Sequence, residues 1–61
     1  MKSLKGAVIE YTDRNWASRT GVVIKPIGRG KHKGELWILP TGHERKARIP
    51  KEAVGRIIQP A

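Results

Sequence analysis

The apolar residues of this chain come in short runs separated by turn-formers, and that pattern limits its fold more than any other feature. The runs are "AVIEY", "GVVIKPI", "ELWILP", "ARIP" and "VGRII", rich in β-branched residues. Between them stand "DRN", "GRGKHKG" and "TGHE". No stretch keeps a helical period long enough to make an amphipathic helix. Short β-branched segments spaced roughly 8–12 residues apart, with turn residues between them, belong to an all-β sandwich or barrel. The chain therefore reads as a single all-β domain spanning residues 1–61, with five short strands.

Each strand can be placed. The first runs from about Gly6 to Tyr11, with Ile9 and Tyr11 on one face and Val8 and Glu10 on the other. The loop "TDRNWASRT" follows, and the second strand starts at Gly21 with Val22, Val23 and Ile24. Pro26 has no amide hydrogen to give to a ladder, so that strand ends there or lies at an edge. The third is "ELWILP", with Leu36 and Ile38 on one face, Trp37 and Leu39 on the other, and Pro40 as its end. Thr41-Gly42 suits a tight turn. The fourth is "RKARIP", with Ala47 and Ile49 on one face and Lys46 and Arg48 on the other. Pro50 then leads a short 3₁₀ or α segment, "PKEA", before the closing strand "VGRIIQ".

"ARIPKEAVGRII" resembles the end of SH3-type domains: strand, proline-led 3₁₀ turn, closing strand. The start resembles a KOW-type motif. Lys5-Gly6 opens it, Ile9 and Tyr11 alternate, and Gly21 stands fifteen residues after Gly6, before "VVIK". The resemblance implies a small five-stranded SH3-like barrel with a 3₁₀ turn before the last strand. In the KOW pattern the intervening loop carries further glycines and lysines, whereas this chain has "TDRNWASRT".

Charge narrows the class of partner. Lys and Arg together number 13 against five acidic residues, a net charge of +8. So dense a positive potential attracts nucleic acid, an anionic membrane surface or an acidic protein. There is no cysteine, which excludes disulfides and thiolate metal sites. No apolar run approaches the roughly 18 residues of a membrane span. In "MKSLKGAVIEYTDR" the apolar stretch is cut short by Glu10 and Asp13, unlike a signal peptide. The expectation is a cytoplasmic protein without a membrane partner.

"GRGKHKG" invites comparison with phosphate loops. Its glycines stand at 28, 30 and 34, and no Ser or Thr follows a Gly-Lys pair, so the P-loop spacing is missing. The dinucleotide fingerprint fails too, because its glycines must open a helix and here a strand follows. What remains is a basic hairpin loop. It either offers Arg29, Lys31, His32 and Lys33 to phosphates or is a solvated turn.

Two further clusters combine charge with an aromatic ring. "DRNWASR" holds Trp16 between Arg14 and Arg19. Trp16 either stacks on bases or anchors an interface, or else folds over an open barrel end as a lid. Trp37, with Lys46 and Arg48 on the neighbouring strand, makes either a basic face with an aromatic centre or an ordinary packed sheet surface.

Catalytic signals are weak. The five carboxylates are scattered, with no evident acid–base pair. Ser3 and Ser18 have no partner histidine, and His32 and His43 lack a third ligand at a regular spacing. The expectation is a non-enzyme without metal or cofactor. Its candidate contacts are Arg14, Trp16, Arg19, Arg29, Lys31, Lys33, Trp37, Lys46 and Arg48.

An acidic protein is the alternative partner. "EYTDRNWASRTGVV" is similar to the first loop of SH3-like accessory subunits of photosynthetic electron-transfer complexes, which implies docking to an acidic ferredoxin. A homo-oligomer is a third expectation, since so small a core gains from association.

Overall fold

A computed structural model describes residues 4–61. Ser3 and the other two residues at the start of the 1–61 domain lie outside the described residues. Five antiparallel strands form one sheet: β1 (Val8–Thr12), β2 (Ser18–Pro26), β3 (Glu35–Pro40), β4 (Ala47–Pro50) and β5 (Val54–Gln59). Their order across the sheet is β4-β3-β2-β1-β5, and a 3₁₀ turn (Lys51–Ala53) separates β4 from β5. This is the SH3-like arrangement that the alternation and the proline-led turn imply. Among the described residues no helix is long and apolar enough to cross a membrane.

Alternation builds the core. Ile9 and Tyr11 of β1, Val23 of β2, Leu36 and Ile38 of β3 and Ile49 of β4 point inward together with Ala7. Leu4, Ala47, Ala53 and Val54 pack against them. Ile9 and Ile38 are fully buried, and each such side chain contributes about 1.5–3 kcal/mol. Losing one removes a large part of a small domain's net stability.

Three strand boundaries differ from the sequence reading. β1 begins at Val8 because Lys5 and Gly6 form a turn, closed by Ala7 N–H donating to Leu4 O at 2.9 Å. β2 begins at Ser18 rather than Gly21. Ser18, Arg19 and Thr20 pair with Thr12, Tyr11 and Glu10, so the loop shrinks to residues 13–17. β4 begins at Ala47 rather than Arg45. Its ladder with β3 ends at the Ile38–Ala47 pair, and the chain bends through Glu44 and Arg45. Lys46 therefore precedes the strand.

Gly21 has a steric reason. A Cβ there would lie 2.9 Å from Leu39 O and 3.2 Å from the Pro40 Cα, closer than side chains tolerate. Glycine lets β2 cross close over β3 at this point. Two irregularities in the β1–β5 ladder, between Val8 and Ile9 and between Glu10 and Tyr11, strengthen the local twist.

Candidate functional site

The 13–17 loop is organised by one carboxylate. Asp13 accepts hydrogen bonds from Asn15 N–H at 2.8 Å, Ala17 N–H at 3.0 Å and Arg19 Nε–H at 3.0 Å. Its own N–H donates to Ala17 O at 3.0 Å, and Trp16 N–H donates to Asp13 O at 3.1 Å. Aspartate is suited to this work because its short side chain reaches backbone amides two and four residues on. The Ala17 amide, then the Arg19 guanidinium and the Asn15 amide, hold the Asp13 carboxyl below the usual carboxylate range.

The result is an unusual placement of Trp16. Its backbone sits at φ +62°, and the residue is 88% exposed. A bulky side chain in the left-handed region is uncommon and costs of order 1 kcal/mol or more. The expectation that Trp16 closes a barrel end as a lid is overturned by this exposure. Nothing in the hydrophobic core touches the ring strongly enough to bury it.

Trp37 is held differently. It lies in the middle of β3 and is half-buried, paired with Lys25 on one side and Arg48 on the other. Lys46 Nζ sits 4.6 Å from the ring centroid and Arg48 Cζ 5.8 Å from it, within cation–π reach. Arg48 Nε donates to Glu35 Oε1 at 3.1 Å, while His32 Nδ1 lies 2.8 Å from Glu35 Oε2. One carboxylate thus joins the basic hairpin loop to the strand-four cation.

Trp37, Lys46, Arg48 and Glu35 line a shallow groove of about 780 Å³ together with Asp13 and Arg14. Its apolar lining comes from Tyr11, Ile49, Pro50 and Ala53. Burial pushes the Tyr11 phenol above its ordinary value, so the hydroxyl stays neutral at physiological pH. A second depression of about 440 Å³ shares Thr12, Asp13, Arg14, Pro50 and Ala53 with the first and adds Trp16 and Glu52. The two depressions adjoin, so both tryptophans border one continuous surface.

The other sequence candidates lie around this surface. The "GRGKHKG" segment is a closed hairpin: Gly34 N–H donates to Ile27 O and Ile27 N–H to Glu35 O. Gly30 and Gly34 take φ +84° and +92°, values open to glycine. Arg29, Lys31 and Lys33 are exposed on it. Arg19 lies apart from the groove, beside Glu10, Thr20, Thr41 and His43, with its Nε on Asp13. Arg14, Arg29, Lys31, Lys33 and Lys46 make no ion pair with any described residue.

Sequence reading missed four contributors. Asp13 and Glu35 read as scattered carboxylates in the sequence, yet Asp13 fastens the Trp16 loop and Glu35 holds Arg48 beside Trp37. The hint for Asp13 was its place at the head of a loop, where aspartate caps turns. Tyr11 of β1 and Pro50 at the end of β4 share the groove lining with Trp37, a meeting of strands distant in sequence. Comparison of the chain with protein-family models, with curated proteins and with solved structures found no match.

Proposed function

We propose that this chain is a non-enzymatic module that binds nucleic acid across the groove between Trp16 and Trp37. One observation carries the reading: a continuous surface bordered by two tryptophans and three cations, Arg14, Lys46 and Arg48. Cations position a phosphate backbone, and aromatic rings offer stacking platforms that every base can use. The loop cations Arg29, Lys31 and Lys33 extend the positive field from the hairpin that Glu35 ties to Arg48. Arg19 acts indirectly, by holding Asp13 and through it the Trp16 loop. The Lys5-Gly6 to Gly21 spacing, similar to KOW-type motifs, agrees with this reading.

A binding role suits the carboxylates as well. Glu10, Asp13 and Glu35 each engage a cation, at 3.5 Å, 3.0 Å and 3.1 Å. Carboxylates tied in this way organise a surface rather than shuttle protons.

The test is affinity for an oligonucleotide as a function of salt. Five candidate cations make no ion pair with any described residue: Arg14, Arg29, Lys31, Lys33 and Lys46. Three to five phosphate contacts give a slope of log K against log salt of about −2 to −3.5 on a single strand. A flat salt dependence, or no binding at low salt, refutes the reading. Recovery of one acidic protein by the immobilised chain after nuclease treatment, with no oligonucleotide bound, supports a docking module instead.

A further inference from the structure

We infer that the nucleic acid this groove takes is single-stranded, with an unpaired base stacked on Trp16. The inference rests on the nucleic-acid reading above and goes beyond it in naming the strand state.

The physical case begins with what Trp16 offers. The residue is 88% exposed, in a loop that holds its backbone at φ +62°. The loop is nonetheless well fastened, since Asp13 accepts three hydrogen bonds and its carbonyl takes the Trp16 amide. A large apolar ring is therefore presented to solvent by a rigid frame. Sparsely populated backbone conformations persist where the surroundings over-determine them, and they cluster at binding sites. A ring so presented gains most from a flat, apolar partner.

A base in a duplex does not provide that partner. Its faces are covered by its neighbours, and its edges lie in grooves. A backbone-only contact to a duplex uses cations and hydrogen-bond donors, with no need of an exposed indole. A single strand offers bases splayed from the backbone, and aromatic rings are the means by which proteins hold them. Arg14, two residues before Trp16, lines both depressions and supplies a cation for the backbone of a strand whose base stacks there.

Trp37 complements this. Lys46 and Arg48 lie against its ring, so this end of the groove presents charge above an aromatic surface. Trp16 carries no such cation cover among the described residues. The strand thus meets a free stacking ring at one end and a cation-rich platform at the other. The molecule's longest extent is 27 Å, which at ~3.4 Å per stacked nucleotide limits the site to at most about eight nucleotides.

The experiment compares two fluorescein-labelled probes at 50 mM salt: a twelve-nucleotide single strand of mixed sequence and the blunt duplex made from it. The full chain is titrated into each and anisotropy is read. The single strand is expected to bind at least tenfold more tightly than the duplex. Trp16→Ala is expected to weaken single-strand binding about five- to 150-fold and to leave duplex binding unchanged. Trp16→Phe, which keeps a stacking ring, is expected to restore most of the loss. Equal or tighter duplex binding overturns the inference while the nucleic-acid reading stands. An equal loss on both probes with Trp16→Ala does the same. Failure to bind either probe overturns both. Because Trp16 lies outside the core, its variants retain the fold, which circular dichroism checks directly.

Discussion

Trp37 and Trp16 border the same groove and are held by opposite means. Trp37 is carried by a strand: its backbone is fixed by ladders on both sides, and its ring is half-buried under Lys46 and Arg48. Trp16 is carried by a side chain, the carboxylate of Asp13, and its ring is given to solvent. The first ring serves folding and the surface together. The second does nothing for the fold and costs it some backbone strain. An aromatic residue held outside the core at a conformational cost is the observation on which the proposed recognition surface rests.

The largest way to break this comparison is at Trp37. Trp37→Ala removes both a packing element and a platform. It is expected to lower unfolding free energy by about 2 kcal/mol, below the cost of a fully buried tryptophan. Oligonucleotide affinity should fall more than tenfold at the same time. Urea denaturation and anisotropy read the two losses separately. If stability were untouched, Trp37 would be a free platform like Trp16, and the contrast would collapse.

Trp16→Ala separates the two roles. Stability should stay within about 0.5 kcal/mol of the parent, as for surface substitutions elsewhere, while single-strand affinity falls by about 1–3 kcal/mol. Trp16→Gly sharpens the point further. Glycine adopts φ +62° without the Cβ clash, so this variant is expected to melt at a higher temperature, by about 0.5–1 kcal/mol in stability, while binding no better than Trp16→Ala. A lower melting temperature would mean that the ring does contribute to the fold.

A smaller effect lies in acid. The Asp13 carboxyl ionises more easily in the folded state than in the unfolded chain, because amides and Arg19 favour its charge. Its contribution is therefore complete above the unfolded value and is lost as pH falls through the lower, folded value. In a Trp37→Phe background, Trp16 fluorescence should report a loosening of the 13–17 loop below the usual carboxylate range. Asp13→Asn should remove that transition. A transition that persists in the Asn variant assigns it to another group.

The smallest expected effect is in the hairpin. Lys33→Ala should reduce the salt slope by about 0.7 with little change in stability. No change in slope would remove the "GRGKHKG" loop from the binding surface and leave it a solvated turn.

Much of the fold can be read in the sequence. Ile9 and Tyr11, Leu36 and Ile38, and Ala47 and Ile49 are identifiable as face-sharing pairs because side-chain direction in a strand reverses at every residue, a purely local rule; that these faces are the buried ones is shown by the packed core. The closing "VGRIIQ" strand and the turn after Pro50 are equally legible, since proline fixes its own backbone. The extension of β2 back to Ser18 is not. Ser18, Arg19 and Thr20 carry no apolar alternation, and they are strand only because Asp13 closes the turn opposite and aligns them with Thr12, Tyr11 and Glu10. The site shows the same division. The residue types "DRNWASR" and "Trp37…Lys46…Arg48" advertise charge beside an aromatic ring. Their meeting in one groove is a fact of chain return through β4 and the 3₁₀ turn.

By itself, then, the sequence determined the five strand segments to within a few residues, which residues share a face and the strong net positive charge, because alternation, turn chemistry and charge are properties of neighbouring residues. Tertiary structure alone decided which cations are already engaged, with Arg19 on Asp13 and Arg48 on Glu35, and which stay free. It also decided that Trp16 faces solvent while Trp37 lies under cations. These outcomes depend on register between strands distant in sequence, and register follows from turn closure and packing of the whole sheet rather than from any single segment.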